Sequence, residues 1–358
     1  MKVLFIAGTL GQGGAENQLF LLVRSLKTAN HEPIVISLTK GDFWEEILIS
    51  NGIKVITLES KKNRLKKLAE IIRITKYQKP DLLYSFHFYT SMYAGIAGRV
   101  TNTFCLGSIR SNGWIENKHN GFWKYFHFNL PNAIIGNSKH GLEVAAKLFG
   151  LKKQQVGVLS NAIDTNKFNF RGTLTASSKF RILFVGRLIP IKRPQDFLRI
   201  SQLLADAEIP VEAIILGDGP MRIELEKMAD DMGLKSIVTF AGNVPNAYNY
   251  LKNSNAFIHC AEAEGTPNAV LEAMSTGVPV YCSNIIGIET LLGDNNERGF
   301  VFHSLEELFV KLQHQFYNGA DDELVIAANK YIQKNHSMEF LFKKFTSIIN
   351  NLKGAKNA

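Results

Sequence analysis

Two glutamates and two cations carry the chemistry that this sequence suggests. In EAEGTPNAVLEAMSTGVPV, residues 262 to 280, Glu264 precedes the turn Gly265-Thr266-Pro267, and Glu272 lies more than one turn into the helix that starts near Pro267. A carboxylate in the loop and one inside the helix can reach different hydroxyls of one elongated ligand. The helix N-terminus between them, across Asn268, Ala269 and Val270, can accept a phosphate. Upstream, GRLIPIK places Arg187 and Lys192 behind Gly186, directly after the apolar run RILFV. Arg suits bidentate phosphate contacts and Lys acts as a compact point charge, each charge-assisted bond contributing roughly 1.5 to 3 kcal/mol. Together the four side chains fit a ligand with a diphosphate and several hydroxyls. Taken singly, GRLxxxK is also what a chance basic turn looks like, and two acids near a helix are ordinary surface.

Other phosphate and hydrolase chemistries are disfavoured. The first turn, GTLGQGGAE, has glycines at 8, 11, 13 and 14, which do not make GxGxxG, and Glu32 precedes the second strand instead of ending it. Both departures count against a nicotinamide enzyme. Gly13 and Gly14 still allow close approach to a phosphate at a helix N-terminus, with a tight turn that binds nothing as the alternative. LGDGP, with Gly217 and Gly219, is a second close-approach turn, and Pro220 suits the first position of a following helix. There is no GxxxxGK[ST]; His140 replaces the glycine that a nucleophile elbow needs in GNSKH; no two aspartates are separated by a single residue and no His-x3-His occurs. Phosphate chemistry here is expected to rest on side-chain cations, with no metal and no cofactor.

The elements that must position these residues follow from the apolar pattern. VLFIA (3 to 7), a helix from about Ala15 to Ala29, IVISL (34 to 38), KVITL (54 to 58), a basic helix, DLLYSF (81 to 86), a helix through Ala94 to Val100, FCLGSI (104 to 109), AIIGNS (133 to 138) with Ser138 as an N-cap, and VGVLSN (156 to 161) alternate along the first half. The pattern restarts with RILFVG, VEAIILG, IVTFAG, AFIHC and PVYCS, interleaved with helices. Such alternation predicts two doubly wound α/β domains with parallel sheets, whose ligands bind at the carboxyl ends of strands. The chain of 358 residues suits two domains of roughly 150 to 200 residues. FRGTLTASSK, residues 170 to 179, is the expected linker.

Composition narrows the class further. No 20-residue apolar run or internal repeat appears, and Cys105, Cys260 and Cys282 lack any CxxC, so free buried thiols in a reducing compartment are expected, by default the cytoplasm. MKVLFIAGTLGQGG reads as a first strand, its apolar run being too short for a signal peptide. Residues 1 to 172 hold 23 Lys+Arg against 11 Asp+Glu, a balance of +12, and the remainder holds 18 against 21, or −3. Much of the excess lies in residues 61 to 76, where Leu65, Leu68, Ile72 and Thr75 fall near helical spacing among Lys61, Lys62, Arg64, Lys66, Lys67, Arg73 and Lys76. That helix either lies on an anionic membrane surface or is a solvated helix packed on a sheet. No binding module accompanies the charge, so nucleic acid is not an expected partner.

The set GGAE (13 to 16), SNAIDTNKF (160 to 168), GRLIPIK (186 to 192), LGDGP (216 to 220), VTFAGNV (238 to 244, with Gly242) and EGTPNAVLEAMSTGVPV (264 to 280) resembles the family 4 retaining glycosyltransferases of the GT-B fold, in order and over nearly the whole chain. The resemblance implies two Rossmann-like domains facing each other across a cleft: residues 1–170 on the acceptor side, 171–335 binding a nucleotide sugar, and 336–358 as a last helix crossing back. It implies that Arg187 and Lys192 hold the donor diphosphate and stabilise its growing charge, that Glu264 contacts the transferred sugar with residues Gly265 to Val270 around it, and that Glu272 accepts from the ribose. Gly13, Gly14, Gly186, Gly217, Gly219 and Gly242 would complete the donor site, and domain closure would assemble it.

Departures from the family fall on the acceptor side. Arg110 and Ser111 occupy the neighbourhood of a histidine that many members carry, and Asn161-Ala162 replaces an Asn-Gly. His87 either faces the acceptor or is a packed, hydrogen-bonded histidine, and the aromatics of residues 112 to 128 either line an acceptor groove or belong to the core. Glu262 has no counterpart in the ligand. The expected activity is metal-independent, retaining transfer from a nucleotide diphosphate sugar, UDP-linked, to a glycan or lipid-linked saccharide at the inner membrane face in cell-surface polysaccharide synthesis. A nucleotide-sugar epimerase and a non-catalytic sugar-nucleotide or membrane-binding adaptor are the alternatives.

Overall fold

The computed structural model describes residues 1–59, 63–110, 124–152, 155–172 and 179–357. Its strands are β1 (Lys2–Ala7), β2 (Glu32–Ser37), β3 (Lys54–Thr57), β4 (Leu82–Ser85), β5 (Cys105–Ile109), β6 (Ala133–Gly136), β7 (Val156–Val158), β8 (Phe180–Val185), β9 (Val211–Leu216), β10 (Val238–Gly242), β11 (Ala256–His259), β12 (Val280–Ser283) and β13 (Phe300–Phe302). Two compact units result, one of residues 1–162 with 338–358 and one of residues 163–337. The first holds a parallel sheet in the order β3-β2-β1-β4-β5-β6-β7, and the second a parallel sheet in the order β10-β9-β8-β11-β12-β13.

Alternation within each strand feeds two cores per sheet. Val3, Phe5 and Ala7 of β1 pack with Leu19, Leu22 and Leu26 of the helix Gly14–Thr28, while Leu4 and Ile6 pack on the other face with Ile71 and Ala94. In the second unit, Phe180, Ile182 and Phe184 face Phe197 and Leu204 of the helix Pro194–Asp206; Leu183 and Phe257 face Val270 and Met274 of the helix Asn268–Thr276. Strands buried on both faces read as near-continuous apolar runs, which is why VLFIA and RILFV were recognisable. The helix that follows Lys192 and the helix that bears Glu272 thus lie on opposite faces of one sheet.

Both units reverse strand order at their first strand. β1 has β2 on one side and β4 on the other; β8 has β9 on one side and β11 on the other. At such a switch point the two adjacent connections leave on opposite faces, opening a crevice at the strand carboxyl ends. The Gly8 to Gly14 turn and His87 share this position in the first unit. Arg187, Lys192 and Glu264 share it in the second.

Several boundaries differ from expectation. The units divide after Ala162, ahead of the polar stretch at 170 to 179, whose residues 173–178 lie outside the described residues. Ile163 donates its N–H to the His336 carbonyl at 2.7 Å, Phe168 is buried in the second core, and Arg171 donates to the carbonyls of Leu251, Lys252, Ser254 and Gly277. Hydrogen bonding, not composition, therefore assigns 163 to 172 to the second unit. The helix Met338–Asn357 packs in the first unit through Leu341, Phe345, Ile348, Ile349 and Leu352. Pro220 does not open a helix: the next one starts at Arg222. The helix Phe43–Ser50 and the three-residue β13 had no clear pattern in advance. In the basic helix Arg64–Gln78, capped by Asn63, the buried stripe is Ile71, Ile74, Thr75 and Gln78, and Leu65 is 77% exposed.

The glycines of LGDGP serve the protein's own backbone. A Cβ at Gly217 (φ 131°) would meet the Gly186 carbonyl oxygen at 1.9 Å, and one at Gly219 would meet the Leu188 oxygen at 2.5 Å. Gly186 N–H donates to Leu216 O at 2.9 Å and Leu188 N–H to Asp218 O at 3.0 Å, so the turns after β8 and β9 are stitched together. Gly217→Ala is expected to cost more than about 2 kcal/mol. Gly233→Ala (φ 73°, open space around the Cβ position) should cost only the backbone strain of roughly 1 kcal/mol. Urea unfolding of the two variants is the check, and equal losses would contradict the stitched-turn account.

Candidate functional site

In the second unit β8 delivers Arg187 to an exposed turn and, after the 3-10 turn Pro190–Lys192, Lys192 to a half-dry one. A backbone bond joins this turn to the segment after β11: Glu262 N–H donates to the Ile191 carbonyl at 2.9 Å. That link places the Lys192 ammonium against Glu264 Oε1, with side chains 19% and 18% exposed. Glu262's own side chain is exposed, and its contribution is this N–H. The neighbouring Arg193 is engaged elsewhere, sharing buried Asp196 with Arg199 at 2.6 and 2.9 Å. Arg187 makes no ion pair among the described residues. Sorting of the three cations in GRLIPIKR is therefore structural: Arg193 anchors the helix Pro194–Asp206, while Arg187 and Lys192 remain with the turn.

Burial tunes the charges. Desolvation, aided by the Arg187 guanidinium, lowers Lys192 to about 8. Glu272, on the helix Asn268–Thr276, is pushed up to about 7 by burial, partly offset by Lys167. Pro267 occupies the N-cap of that helix and supplies no side-chain cap, so the first-turn N–H groups over Asn268 to Val270 face the loop. The Val270 side chain itself is fully buried in the core, so only its backbone belongs to the site. Gly265, Thr266 and Ala269 lie on the same loop and first turn, partly exposed. Gly186, Gly217 and Gly219 shape the turns beside Arg187, and Gly242 (φ 68°) accepts Gly217 N–H at its carbonyl at 2.8 Å. A cation pair, a loop carboxylate, a helix carboxylate and a helix N-terminus at one switch point can bind a phosphorylated polyol. Among the described residues no group of three His, Cys, Asp or Glu side chains is placed to hold a metal ion.

His259 is the residue that sequence reading missed. It ends β11, is 2% exposed, and stacks on Phe257 with centroids 6.4 Å apart. Its Nε2 lies 3.6 Å from Glu264 Oε1 and has no hydrogen-bond partner. Burial and the Lys192 charge depress it to about 3, so it is neutral. The only signal was a polar residue closing the apolar run AFIH. Cys260 and Cys282 are buried free thiols, as is Cys105, and burial pushes the first two upward.

In the first unit, the switch point gathers Gly13, Glu16 and His87. Gly8 N–H donates to His87 Nδ1 at 3.1 Å, which leaves Nε2 to carry the proton and face Glu16 Oε1 at 3.2 Å. Tyr89 stacks on the same ring at 5.5 Å. His87 is packed and hydrogen-bonded within this unit. Glu16 folds back over Gly13, the N-cap of Gly14–Thr28, where a Cβ would meet its Oε2 at 2.3 Å. Glu16, the last residue of GGAE, was not singled out in the sequence. Arg110 lies over the Phe86 ring at 3.7 Å and donates to Asn161 Oδ1 at 3.4 Å, its basicity lowered by burial. Its guanidinium is engaged within the unit through Nη1 and the Phe86 face, while Nε is buried without a hydrogen-bond partner. Ser111, and residues 112–123 of the aromatic stretch, lie outside the described residues.

The pattern of the family described as "Glycosyl transferases group 1" matches residues 165–348, and that of "Glycosyltransferase Family 4" matches residues 12–167. A Campylobacter jejuni protein named GalNAc-alpha-(1->4)-GalNAc-alpha-(1->3)-diNAcBac-PP-undecaprenol alpha-1,4-N-acetyl-D-galactosaminyltransferase is 27% identical over 349 residues, 91% of this chain and 87% of that protein. An Escherichia coli UDP-Gal:alpha-D-GlcNAc-diphosphoundecaprenol alpha-1,3-galactosyltransferase is 26% identical over 256 residues, 66% of each chain. Among solved structures, Anabaena HepE in complex with UDP superposes with a TM-score of 0.84 at 18% identity, covering 98% of this chain and 100% of that one. A glycosyltransferase from Rickettsia africae superposes with 0.80 at 17% identity, covering 98% of both. Parallel sheets that reverse order at β1 and β8, the cation turn and the glutamate-bearing helix thus come with a matched family pattern along nearly the whole chain. The chain belongs to the group 1 glycosyltransferases, with a Family 4 N-terminal region and the GT-B fold, and is a glycosyltransferase.

Proposed function

We propose that the chain transfers a sugar, with retention of configuration and without a metal, from a UDP-sugar to a lipid-linked saccharide in cell-surface polysaccharide synthesis. The observation that carries this reading is the meeting of Lys192 and Glu264 at the β8/β11 switch point, with Arg187 on the same turn. Arg187 and Lys192 take the diphosphate and stabilise the charge that grows on it as the glycosidic bond breaks, which is the work a metal does elsewhere. Glu264 receives the sugar hydroxyls and Glu272 those of the ribose. The leaving phosphate takes the proton of the incoming hydroxyl, in keeping with retention. Support for the lipid-linked acceptor comes from the names of the Campylobacter and Escherichia coli relatives, and for UDP from the E. coli name and the HepE complex.

No helix among the described residues is long and apolar enough to cross a membrane. The exposed face of Arg64–Gln78 presents Leu65, Lys66, Arg73, Lys76 and Tyr77, with Lys67 half-buried at its edge, and we assign it the role of holding the chain at an anionic inner membrane surface. Charge reversal at Lys66, Lys67, Arg73 and Lys76 is expected to weaken binding to phosphatidylserine-containing vesicles by about 2 kcal/mol per residue, twice the attraction that each cation contributes. Binding that ignores both the reversal and the anionic lipid content would reject that role.

Donor binding should be greatest between pH 7 and 8. Glu272 is anionic above about 7 and Lys192 cationic below about 8. A UDP-sugar keeps its two diphosphate charges throughout, so affinity falls as pH drops through the first value and as it rises through the second. Each limb should span about 10- to 100-fold, the worth of one charge-assisted bond. Calorimetry from pH 5.5 to 9.5 should show the acid limb vanish in Glu272→Gln and the alkaline limb vanish in Lys192→Met; a flat wild-type profile would refute the assignment.

Lys192→Ala and Glu272→Ala should each lower donor hydrolysis and transfer by about 100-fold or more. Wild-type turnover in both reactions would remove the proposed function.

A further inference from the structure

We propose that His259 is a positioning residue that donates its Nε2–H to Glu264 when Lys192 turns from that carboxylate to the donor diphosphate. The inference rests on the proposed function and adds a residue to its site. In the structure Lys192 has Glu264 as its counter-ion. A diphosphate, with two negative charges and Arg187 beside it, competes for the same ammonium. Once Lys192 serves the phosphate, Glu264 must hold its geometry by another contact, or it loses the fixed orientation that a sugar hydroxyl requires.

His259 is placed for that contact. Its ring is fixed by burial at the end of β11 and by stacking on Phe257, so it does not have to be ordered when donor arrives. Nε2 is buried, unpartnered and aimed at Glu264 Oε1 from 3.6 Å, a gap that a shift of well under 1 Å converts into a hydrogen bond. A buried polar atom left without a partner is unusual in a folded protein and calls for a reason. Neutrality suits the role: the ring next to Lys192 donates without adding a third positive charge, and leaves the carboxylate free to accept the sugar through its other oxygen. The groups facing the ring are Lys192 from the turn after β8 and Glu264 itself, with Cys282 its register neighbour on β12.

His259→Phe keeps the stacked ring and removes the donor; His259→Gln restores an N–H near the Nε2 position; His259→Asn restores one nearer Nδ1. With thermal melts confirming that each folds, His259→Phe should bind UDP within about twofold of wild type, while the extra affinity for UDP-glucose, UDP-galactose or their N-acetyl forms over UDP is lost and kcat for donor hydrolysis falls about 10- to 100-fold. Gln should recover most of this loss and Asn little. A second readout needs no donor: ¹⁵N imidazole spectra should show the His259 proton on Nε2 and a shift of that resonance in Glu264→Gln. Wild-type behaviour of His259→Phe, equal rescue by Asn, or a proton on Nδ1 would each overturn the proposal. Failure of the wild-type chain to bind any of these UDP-sugars would instead overturn the proposed function.

Discussion

One backbone hydrogen bond, from Glu262 N–H to the Ile191 carbonyl, sets the geometry of the candidate site in the second unit. The residues it joins follow different strands, β8 and β11, and precede helices on opposite faces of the sheet, and no side chain of the site could make that link without being consumed by it. A backbone bond leaves the Lys192 and Glu264 side chains to meet each other. It also explains why the 3-10 turn Pro190–Lys192 is there: proline sets the first φ of the turn, Arg193 in the left-handed region (φ 48°) ends it, and Ile191 presents its carbonyl outward between them. In GRLIPIKR, Pro190 to Lys192 thus form the turn, Lys192 meets Glu264, and Arg193 anchors to Asp196.

The charges of the site are held under tension by dehydration. Lys192 and Glu272 are displaced toward each other on the pH scale, one downward and one upward, and in each case burial is the leading cause. Water removed from these groups before any ligand arrives is water that the ligand need not displace, and each interaction then acts in a medium less polar than bulk solvent. Stability elsewhere supports this arrangement. The paired turns after β8 and β9 exchange backbone hydrogen bonds and tolerate no Cβ at Gly217 or Gly219, so the frame around Arg187 is rigid independently of what it binds.

Much of this was legible in the residues, for identifiable reasons. Strands such as VLFIA and RILFV are buried on both faces, so their runs are continuous, and the alternation with helices forces parallel sheets. The order of elements followed from that, whereas Arg187, Lys192, Glu264 and Glu272 were singled out by their motifs and the family resemblance, and the structure joins Lys192 to Glu264. What could not be read depends on contacts between distant segments. The unit boundary at Ala162 rests on the Ile163 to His336 bond and on Arg171, not on local polarity. The stripe of the basic helix shifted because burial depends on which side meets β-sheet residues such as Ile34 and Ile36, and Leu65 precedes that contact. Gly217 and Gly219 looked like ligand turns because a glycine demanded by a neighbouring backbone and one demanded by a phosphate have the same letter.

His87 and His259 make the same point about chemistry. Each stands at the carboxyl end of an apolar strand, β4 or β11, on the strand that adjoins the first strand of its sheet, and each faces a glutamate. Nothing in YSFH or AFIH separates them. In the structure the first has Nδ1 saturated by Gly8 N–H and Nε2 directed at Glu16, a closed pair that fixes the β1 turn. The second leaves Nε2 with no partner, short of Glu264 by less than an ångström from hydrogen-bonding range. A satisfied histidine maintains a shape, whereas an unsatisfied one in a dry site has free energy to gain from a small movement of its neighbour. That difference, and not residue type or strand position, is what separates a structural histidine from one able to answer a change in its partner's charge balance.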